Sequence, residues 1–157
     1  MTITRRLMVR LSRGLLHLAA FLSRRPSWQP ISDRYLQMLA RKVIKASAIT
    51  PARDLHELGK RWQLGFSSIE DHPIIAVTDD TVYAEISTDC PLRGSADTAA
   101  CYRMMEYDRT LLEHIGGEFV VLRSQAQPGV SRCQVAMRRR GADMSDLIPA
   151  HINNPSH

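Results

Sequence analysis

Apolar residues recur at helical spacing over the first part of the chain, in three separate runs. In the first run the apolar positions form one stripe of an amphipathic helix: Ile3, Leu7, Leu11, Leu15, Leu18 and Leu22. The opposite side carries the basic residues Arg6, Arg10, Arg13 and His17. After the proline-containing break RPSWQP, a second helix is predicted from a cap at Ser32 or Asp33 to about Ser47. A Thr-Pro pair then predicts the start of a third helix, capped by Thr50 and with apolar positions at Leu55, Leu58 and Trp62.

From residue 73 the pattern changes from helical to alternating, which indicates β-strands. The segment PIIAVTDDTVYAEIS predicts a hairpin that turns at its two adjacent aspartates. A helix is predicted over about residues 97–115, and the segments EFVVLRS and SRCQVAM predict a second hairpin whose Pro-Gly pair suits a type II turn. This order of elements predicts an α+β fold, with an antiparallel four-stranded sheet covered by helices on one face and an N-terminal amphipathic helix.

The basic character of the chain belongs to its N-terminal segment. Residues 1–25 hold six arginines and no acidic residue, whereas the rest of the chain has 15 Lys and Arg against 16 Asp and Glu. We therefore divide the chain into a basic amphipathic leader helix over residues 1–25, a single α+β domain over 31–140 and a mobile tail over 141–157. The arginine run Arg138–Arg140 is expected to be a solvated strand end. Because no basic face is predicted on the folded body, no nucleic-acid partner is expected.

The leader is typical of neither a secretory signal nor a membrane span. Its apolar run LLHLAAFL is short, contains His17 and ends in two arginines, and a span needs ~20 apolar residues. Three destinations stay open for residues 1–25: an anionic membrane surface, a partner protein, or the surface of their own domain. The three cysteines show no paired spacing, which favours reduced thiols in a cytoplasmic protein that is membrane-associated if the leader docks on lipid.

Asp108 is the residue of the predicted helix that packing explains least. A turn of about 100° per residue places it at the centre of an apolar arc made by Cys101, Met104, Met105, Leu111, Leu112 and Ile115. An unpaired buried carboxylate costs several kcal/mol. Either backbone N–H groups or an arginine satisfy Asp108, or the residue lies in a functional pocket, has a raised pKa and acts as an acid or base.

The three cysteines are expected to face one core. Cys90 ends the second strand on its apolar side, Cys101 lies near the start of the helix, and Cys133 faces inward on the last strand. A lone buried cysteine is usually a small apolar residue, but three cysteines together with Asp108 indicate a candidate site. The helix N-terminus is expected to lower the pKa of Cys101. Because there is no Cys-x-x-Cys pair, the sequence specifies neither a metal nor another cofactor.

These motifs resemble those of a known family. The strand end TDCPL, the helix segment MMEYDR and the closing hairpin QPGVSRCQVAM resemble the L-2-amino-thiazoline-4-carboxylic acid hydrolase-like family, which is similar in outline to the 4-vinyl reductase small-ligand domains. The resemblance covers about residues 70–138. It implies hydrolysis of a C–S or C–N bond in a thiazoline ring, with site positions at Cys90, Asp108 and Cys133. The family's helix cysteine is expected where this chain has Met105, with Cys101 one turn earlier.

Two functions are compatible with these residues. The first is a cytoplasmic small-molecule hydrolase, in which Asp108 is the acid or base, Cys101 or Cys90 is the nucleophile or a metal ligand, and His72 or His114 titrates as well. The second is a non-enzymatic module that binds a small ligand or soft metal at its cysteine and methionine face. That module would dock through its N-terminal helix on a membrane or larger complex. The expected partners are a small molecule and, for residues 1–25, a membrane surface or a protein.

Overall fold

The structure is a computed structural model that describes the backbone of residues 3–152 and the side chains of residue 11 and residues 13–152. Within this part of the chain the helices are α1 (Ile3–Ser23), α2 (Gln29–Ala46), α3 (Leu55–Gln63), α4 (Thr98–Met104) and α5 (Glu106–Ile115). The strands are β1 (Ile74–Val77), β2 (Val82–Ile86), β3 (Gly117–Arg123) and β4 (Cys133–Arg139). A short 3₁₀ helix, Pro26–Trp28, joins α1 to α2.

The four strands form one antiparallel sheet in the order β1-β2-β4-β3. Helices α3 and α5 pack on the sheet, α2 packs across α5, and α1 lies against α2 and α4. Alternate residues of a strand point to the same face, so the two central strands bury the set Val82, Ala84, Ile86, Cys133, Val135 and Met137. The predicted α+β class, the four-stranded antiparallel sheet, the covering helices and the N-terminal helix are confirmed.

The helices α2 and α3 begin at different residues from those predicted. Helix α2 begins at Gln29, before Pro30, because a proline is tolerated in the first turn, where its missing N–H has no intrahelical partner to lose. Helix α3 is capped by Asp54 and not by Thr50. The Asp54 carboxylate accepts a hydrogen bond from the Glu57 N–H at 2.8 Å and so satisfies a free donor of the first turn.

The single helix predicted over residues 97–115 is divided at Met105 into α4 and α5. The backbone at Met105 has φ −74° and ψ 8°, although its N–H still donates to the Cys101 carbonyl oxygen at 3.0 Å. As a result Asp108 lies in the first turn of α5 instead of the middle of a long helix. A negative charge is favoured in a first turn, because unpaired N–H groups are gathered there.

Helix α1 folds back on the domain. Ala19 and Ser23 are buried, and Arg103 Nε donates to the Ser23 carbonyl oxygen at 2.7 Å. Arg13 and His17 are exposed, as the amphipathic pattern predicts. Leu11 and Leu18 of the predicted apolar stripe are exposed as well, whereas Leu15 and Leu22 are half-buried. Four predicted positions lie outside the described side chains: Ile3, Leu7, Arg6 and Arg10. None of the described helices combines the length and hydrophobicity needed to cross a bilayer.

Arg139 and Arg140 are exposed, as expected for a solvated strand end, but Arg138 is buried, so the expectation is wrong for that residue. The Arg138 guanidinium donates to both carboxylate oxygens of Asp146, and its Nε donates to Thr81 Oγ1 at 2.7 Å. Residues beyond β4 form turns, in which the Ala150 N–H donates to the Val121 carbonyl oxygen at 2.8 Å. The arginine therefore joins the segment after β4 to the turn between β1 and β2.

Gly117 allows α3 and α5 to approach the sheet closely. A Cβ at this position would lie 2.8 Å from methyl carbons of Leu58 and Leu112 and 3.0 Å from the Arg138 carbonyl oxygen. We predict that Gly117→Ala lowers the free energy of unfolding by about 1–3 kcal/mol, because backbone must move to admit the methyl group. Gly14→Ala is the matched control: its Cβ meets nothing within 4 Å. Alanine there should raise the same quantity by about 0.5–1 kcal/mol through helix propensity. Urea unfolding measures both changes, and a neutral Gly117→Ala would contradict the close approach.

Candidate functional site

A mostly apolar cavity of about 300 Å³ lies between the outer helices and the sheet. Helices α1 and α2 supply much of its apolar wall: Leu15, Leu16, Ala19, Leu36, Leu39 and Val43. Other elements supply its polar lining: Ser67, His72, Thr88, Cys90, Tyr107, Asp108, Gln125 and Cys133. A largely apolar space with a few polar groups is the usual form of a small-molecule site.

Asp108 is buried and accepts its hydrogen bond from a tryptophan. Trp62 Nε1 donates to Asp108 Oδ1 at 2.9 Å, so the carboxylate is bound by an indole and not by the arginine considered from the sequence. Burial raises the pKa of Asp108 to about 6, although the Trp62 hydrogen bond and the Arg109 charge act in the opposite direction. The carboxyl group therefore changes its protonation near neutral pH, as an acid or base must.

His72 lies beside the same tryptophan. Its ring stacks on Phe66 with centroids 3.8 Å apart and meets Trp62 edge-on at 5.6 Å. Its Nδ1 lies 2.8 Å from the Ser68 carbonyl oxygen, and burial lowers the pKa of the imidazole. The neutral ring therefore carries its proton on Nδ1 and presents Nε2 as an acceptor. His114 is exposed on α5 and is not part of the cavity lining.

Two of the three cysteines line the cavity. The half-buried Cys90 accepts a hydrogen bond at Sγ from the Leu92 N–H at 3.4 Å, and the buried Cys133 accepts one from the Gln125 N–H at 3.3 Å. Burial raises the pKa of the Cys90 thiol, and it raises the pKa of Cys133 to about 11. The structure thus brings Cys90, Cys133 and Asp108 to one cavity.

Cys101 lies outside this lining and contributes to a second cavity, of about 570 Å³, formed by α4, β3 and residues after β4. Burial raises the pKa of Cys101 to about 12, and its neighbour Cys133 adds to the rise. The expected lowering of this pKa is wrong, since loss of hydration outweighs the helix dipole at a buried sulfur. All three thiols are therefore protonated at neutral pH.

Gln125 is a cavity residue with an incomplete set of hydrogen bonds. Its Nε2 donates to the carbonyl oxygens of Ile86 at 3.1 Å and Thr88 at 3.0 Å. Because both neighbours are acceptors, the amide must direct its nitrogen toward them and its oxygen away. Oε1 is buried and has no hydrogen-bond partner among the described residues. Leaving such an acceptor unpaired costs about 1–3 kcal/mol.

Met105 occupies the position where the resembled family is expected to carry a cysteine. The residue is buried and lines the cavity, so the site has a thioether there. Cys101, one turn earlier, does not take its place, because its side chain lies outside the cavity lining. The thiols that face the cavity are those of Cys90 and Cys133.

Trp62 and Gln125 were not assigned to the site from the sequence. The sequence pattern predicts Trp62 only as an apolar residue of its helix. A buried indole N–H needs an acceptor, and a buried Asp108 carboxylate needs a donor. A hydrogen bond between Trp62 and Asp108 could therefore be considered from the sequence. Gln125 carried no such signal, because it lies in the connection between β3 and β4, where glutamine is ordinarily solvated.

The fold and the cavity together define an α+β domain with a mostly apolar cavity of about 300 Å³. Comparison of the chain with protein-family models, curated proteins and solved structures gives no match. Within the described part of the chain, no group of three or more His, Cys, Asp or Glu side chains is arranged to hold a metal ion. The chemistry of the site is therefore interpreted from its own residues.

The raised pKa of Asp108 makes protein stability depend on pH. The folded value of about 6 lies above the ordinary value of 3.8, so folding favours the protonated form. The stability that this group contributes is fully present when the pH is below the ordinary pKa, and it is lost as the pH rises through the pKa of the folded state. Asp108→Asn keeps an acceptor for Trp62 but has no carboxyl group to titrate. We predict that the unfolding free energy of this variant minus that of wild type is about 2 kcal/mol larger at about pH 7.5 than at about pH 4.5.

Urea unfolding at the two pH values measures this change. Asp79→Asn is the control, because Asp79 is an exposed carboxylate in the turn between β1 and β2. This variant removes a carboxylate charge outside the cavity lining. A difference between Asp108→Asn and wild type that stays constant with pH would show that the Asp108 pKa is not raised by folding.

Proposed function

We propose that the protein binds a small, largely apolar molecule that carries an uncharged hydrogen-bond donor. The observation that supports this function best is that Gln125, whose buried Oε1 has no hydrogen-bond partner among the described residues, lines a cavity of about 300 Å³. A water molecule occupies about 30 Å³ of liquid, so the space accommodates an organic molecule next to the amide. The donor on that molecule completes the hydrogen bonding of Gln125.

The rest of the lining supports the same class of ligand. Side chains of α1 and α2 together with Met104 and Met105 offer contacts to an apolar body. His72 Nε2 is a second acceptor, and Asp108 is a third near neutral pH. A ligand with one or two N–H or O–H groups on a flat or compact apolar frame matches this arrangement.

Indole and benzothiophene form a matched pair of probes, because they have nearly the same size and only indole has an N–H group. We predict that indole binds about tenfold or more tightly than benzothiophene, because benzothiophene leaves Gln125 Oε1 unpaired. Isothermal titration calorimetry measures both affinities. Equal affinities would contradict the role of Gln125, and binding of neither probe would contradict a ligand-binding cavity.

Two tryptophan variants on α2 locate the bound probe. Leu39→Trp places a large ring at a lining position and should abolish indole binding. Ile44→Trp is the matched control, since Ile44 is also half-buried on α2 but lies outside the lining. Loss of binding in both variants, or in neither, would show that the probe binds elsewhere.

Hydrolysis of the bound molecule is a second candidate function, supported by a carboxyl group that titrates near neutral pH in the same cavity as Cys133. Asp108 would accept the thiol proton while the Cys133 sulfur attacks a ring carbon. The proton would pass to the departing nitrogen or sulfur, and water would then release the cysteine. The pKa values of about 11 and about 6 make formation of the thiolate cost about 7 kcal/mol, so binding has the stronger support.

The thiazoline ring of the resembled family provides the substrate for the test. If the protein is a hydrolase, it consumes L-2-amino-thiazoline-4-carboxylate, and Cys133→Ala lowers the rate by about 100-fold or more. Cys101→Ala is the matched control, because Cys101 is equally buried but lies outside the cavity lining. Liquid chromatography with mass spectrometry follows the substrate. Wild-type protein that binds indole but leaves the thiazoline intact would exclude this hydrolysis without affecting the binding function.

A further inference from the structure

The C-terminal part of α1 presents large apolar side chains to solvent. Leu11, Leu18 and Phe21 are 65%, 44% and 49% exposed. At about 100° per residue they fall within roughly 80° of arc on the helix, on the side away from the domain. The opposite side of α1 is buried against α2 and α4. The helix is thus apolar on both sides, although only one side is covered.

Arg25 extends this exposed face across the turn into α2. Its guanidinium carbon lies 5.4 Å from the ring centroid of Phe21 and 4.5 Å from that of Trp28, and the two rings meet edge-on at 5.9 Å. Aromatic rings next to arginine are suited to a membrane–water interface, where the ring contacts acyl chains and the cation stays among headgroups. We define the basic apolar surface as Leu11, Leu18, Phe21, Arg25 and Trp28, with the exposed Arg13 on its flank, about 80° of helix arc from Phe21.

The distribution of charge directs this side of the molecule toward an anionic partner. Residues 1–52 contain ten Lys and Arg and a single acidic residue, Asp33. Residues 53–157 contain 11 Lys and Arg against 15 Asp and Glu. Helix α2 continues the basic side with four exposed residues, Arg34, Arg41, Lys42 and Lys45. The electrostatic field therefore orients the two outer helices toward negative charge.

We propose that the basic apolar surface docks on an anionic lipid membrane. A bilayer of this kind offers acyl chains to the leucines and aromatic rings and phosphates to the arginines. A second copy of the chain would bring like charges together. Nucleic-acid phosphates would leave Leu11 and Leu18 exposed. The helix lies in the plane of the interface because its other side is packed on the domain. The residues that define this surface are different from those that line the cavity.

Sedimentation of the full chain with lipid vesicles tests this docking. Vesicles of phosphatidylcholine with phosphatidylserine should bind the protein, vesicles of phosphatidylcholine alone should not, and added salt should weaken the binding. Replacing both Arg13 and Arg25 by glutamine should lower the affinity about fivefold for each arginine. The matched control replaces Lys60 and Arg123 by glutamine. Both residues are exposed and lie outside α1 and α2, so this control should leave the affinity for vesicles unchanged.

A second pair of variants tests the apolar contribution. Leu18→Ser with Phe21→Ser should lower vesicle affinity about tenfold or more. The control is Ile69→Ser with Ile75→Ser, at positions 52% and 58% exposed elsewhere on the molecule, and it should bind as wild type does. Absence of vesicle binding, or equal binding by surface and control variants, would overturn the proposal. A dimer that sedimentation equilibrium detects and that the Leu18 and Phe21 changes abolish would also overturn the proposal. Binding to duplex DNA that only the arginine changes weaken would do the same.

Discussion

The hydrogen bond between Trp62 and Asp108 connects the parts of the molecule that form the site. Trp62 belongs to α3 and Asp108 to α5, and both helices pack on the sheet. The indole also contacts the rings of Phe66 and His72, which line the cavity, and that of Phe119, which lies outside its lining. The bond offsets only part of the cost of burying the carboxyl group, because the pKa of Asp108 still lies well above its ordinary value. The centre of the fold therefore retains a polar group that water would stabilise better.

Most of the fold was predictable because its signals are local. The alternation of Val82, Ala84 and Ile86 places one face of β2 on the core, whatever lies across from it. The turn at Asp79 and Asp80 and the positive φ of 76° at Gly129 are likewise properties of a few adjacent residues. The spacing of apolar residues and the residues at the turns together predict an antiparallel sheet covered by helices.

The details that could not be predicted depend on residues distant in sequence. Arg138 is buried because Asp146 and Thr81 converge on it, and no local pattern shows that convergence. Gln125 is placed in the core by carbonyl groups of the β2 end, which lie about forty residues away along the chain. The pKa of Cys101 depends on burial, which exceeds the effect of its place in the helix. The candidate acid was predictable from its helical face, whereas its hydrogen-bond donor, Trp62, and the cavity-lining amide of Gln125 required the tertiary structure.

Helix α1 connects the two binding surfaces proposed for this protein. Its inner side supplies Leu15, Leu16 and Ala19 to the cavity wall, and its outer side carries Leu18 and Phe21 of the basic apolar surface. A rigid helix cannot change its contacts on one side without moving the other. If lipid shifts α1 relative to α2, the cavity changes shape and its affinity for the ligand changes by some factor. Thermodynamic linkage then requires that the bound ligand change the affinity for lipid by that same factor. An apolar ligand that partitions into the bilayer would then lie next to the helix that forms one wall of the cavity.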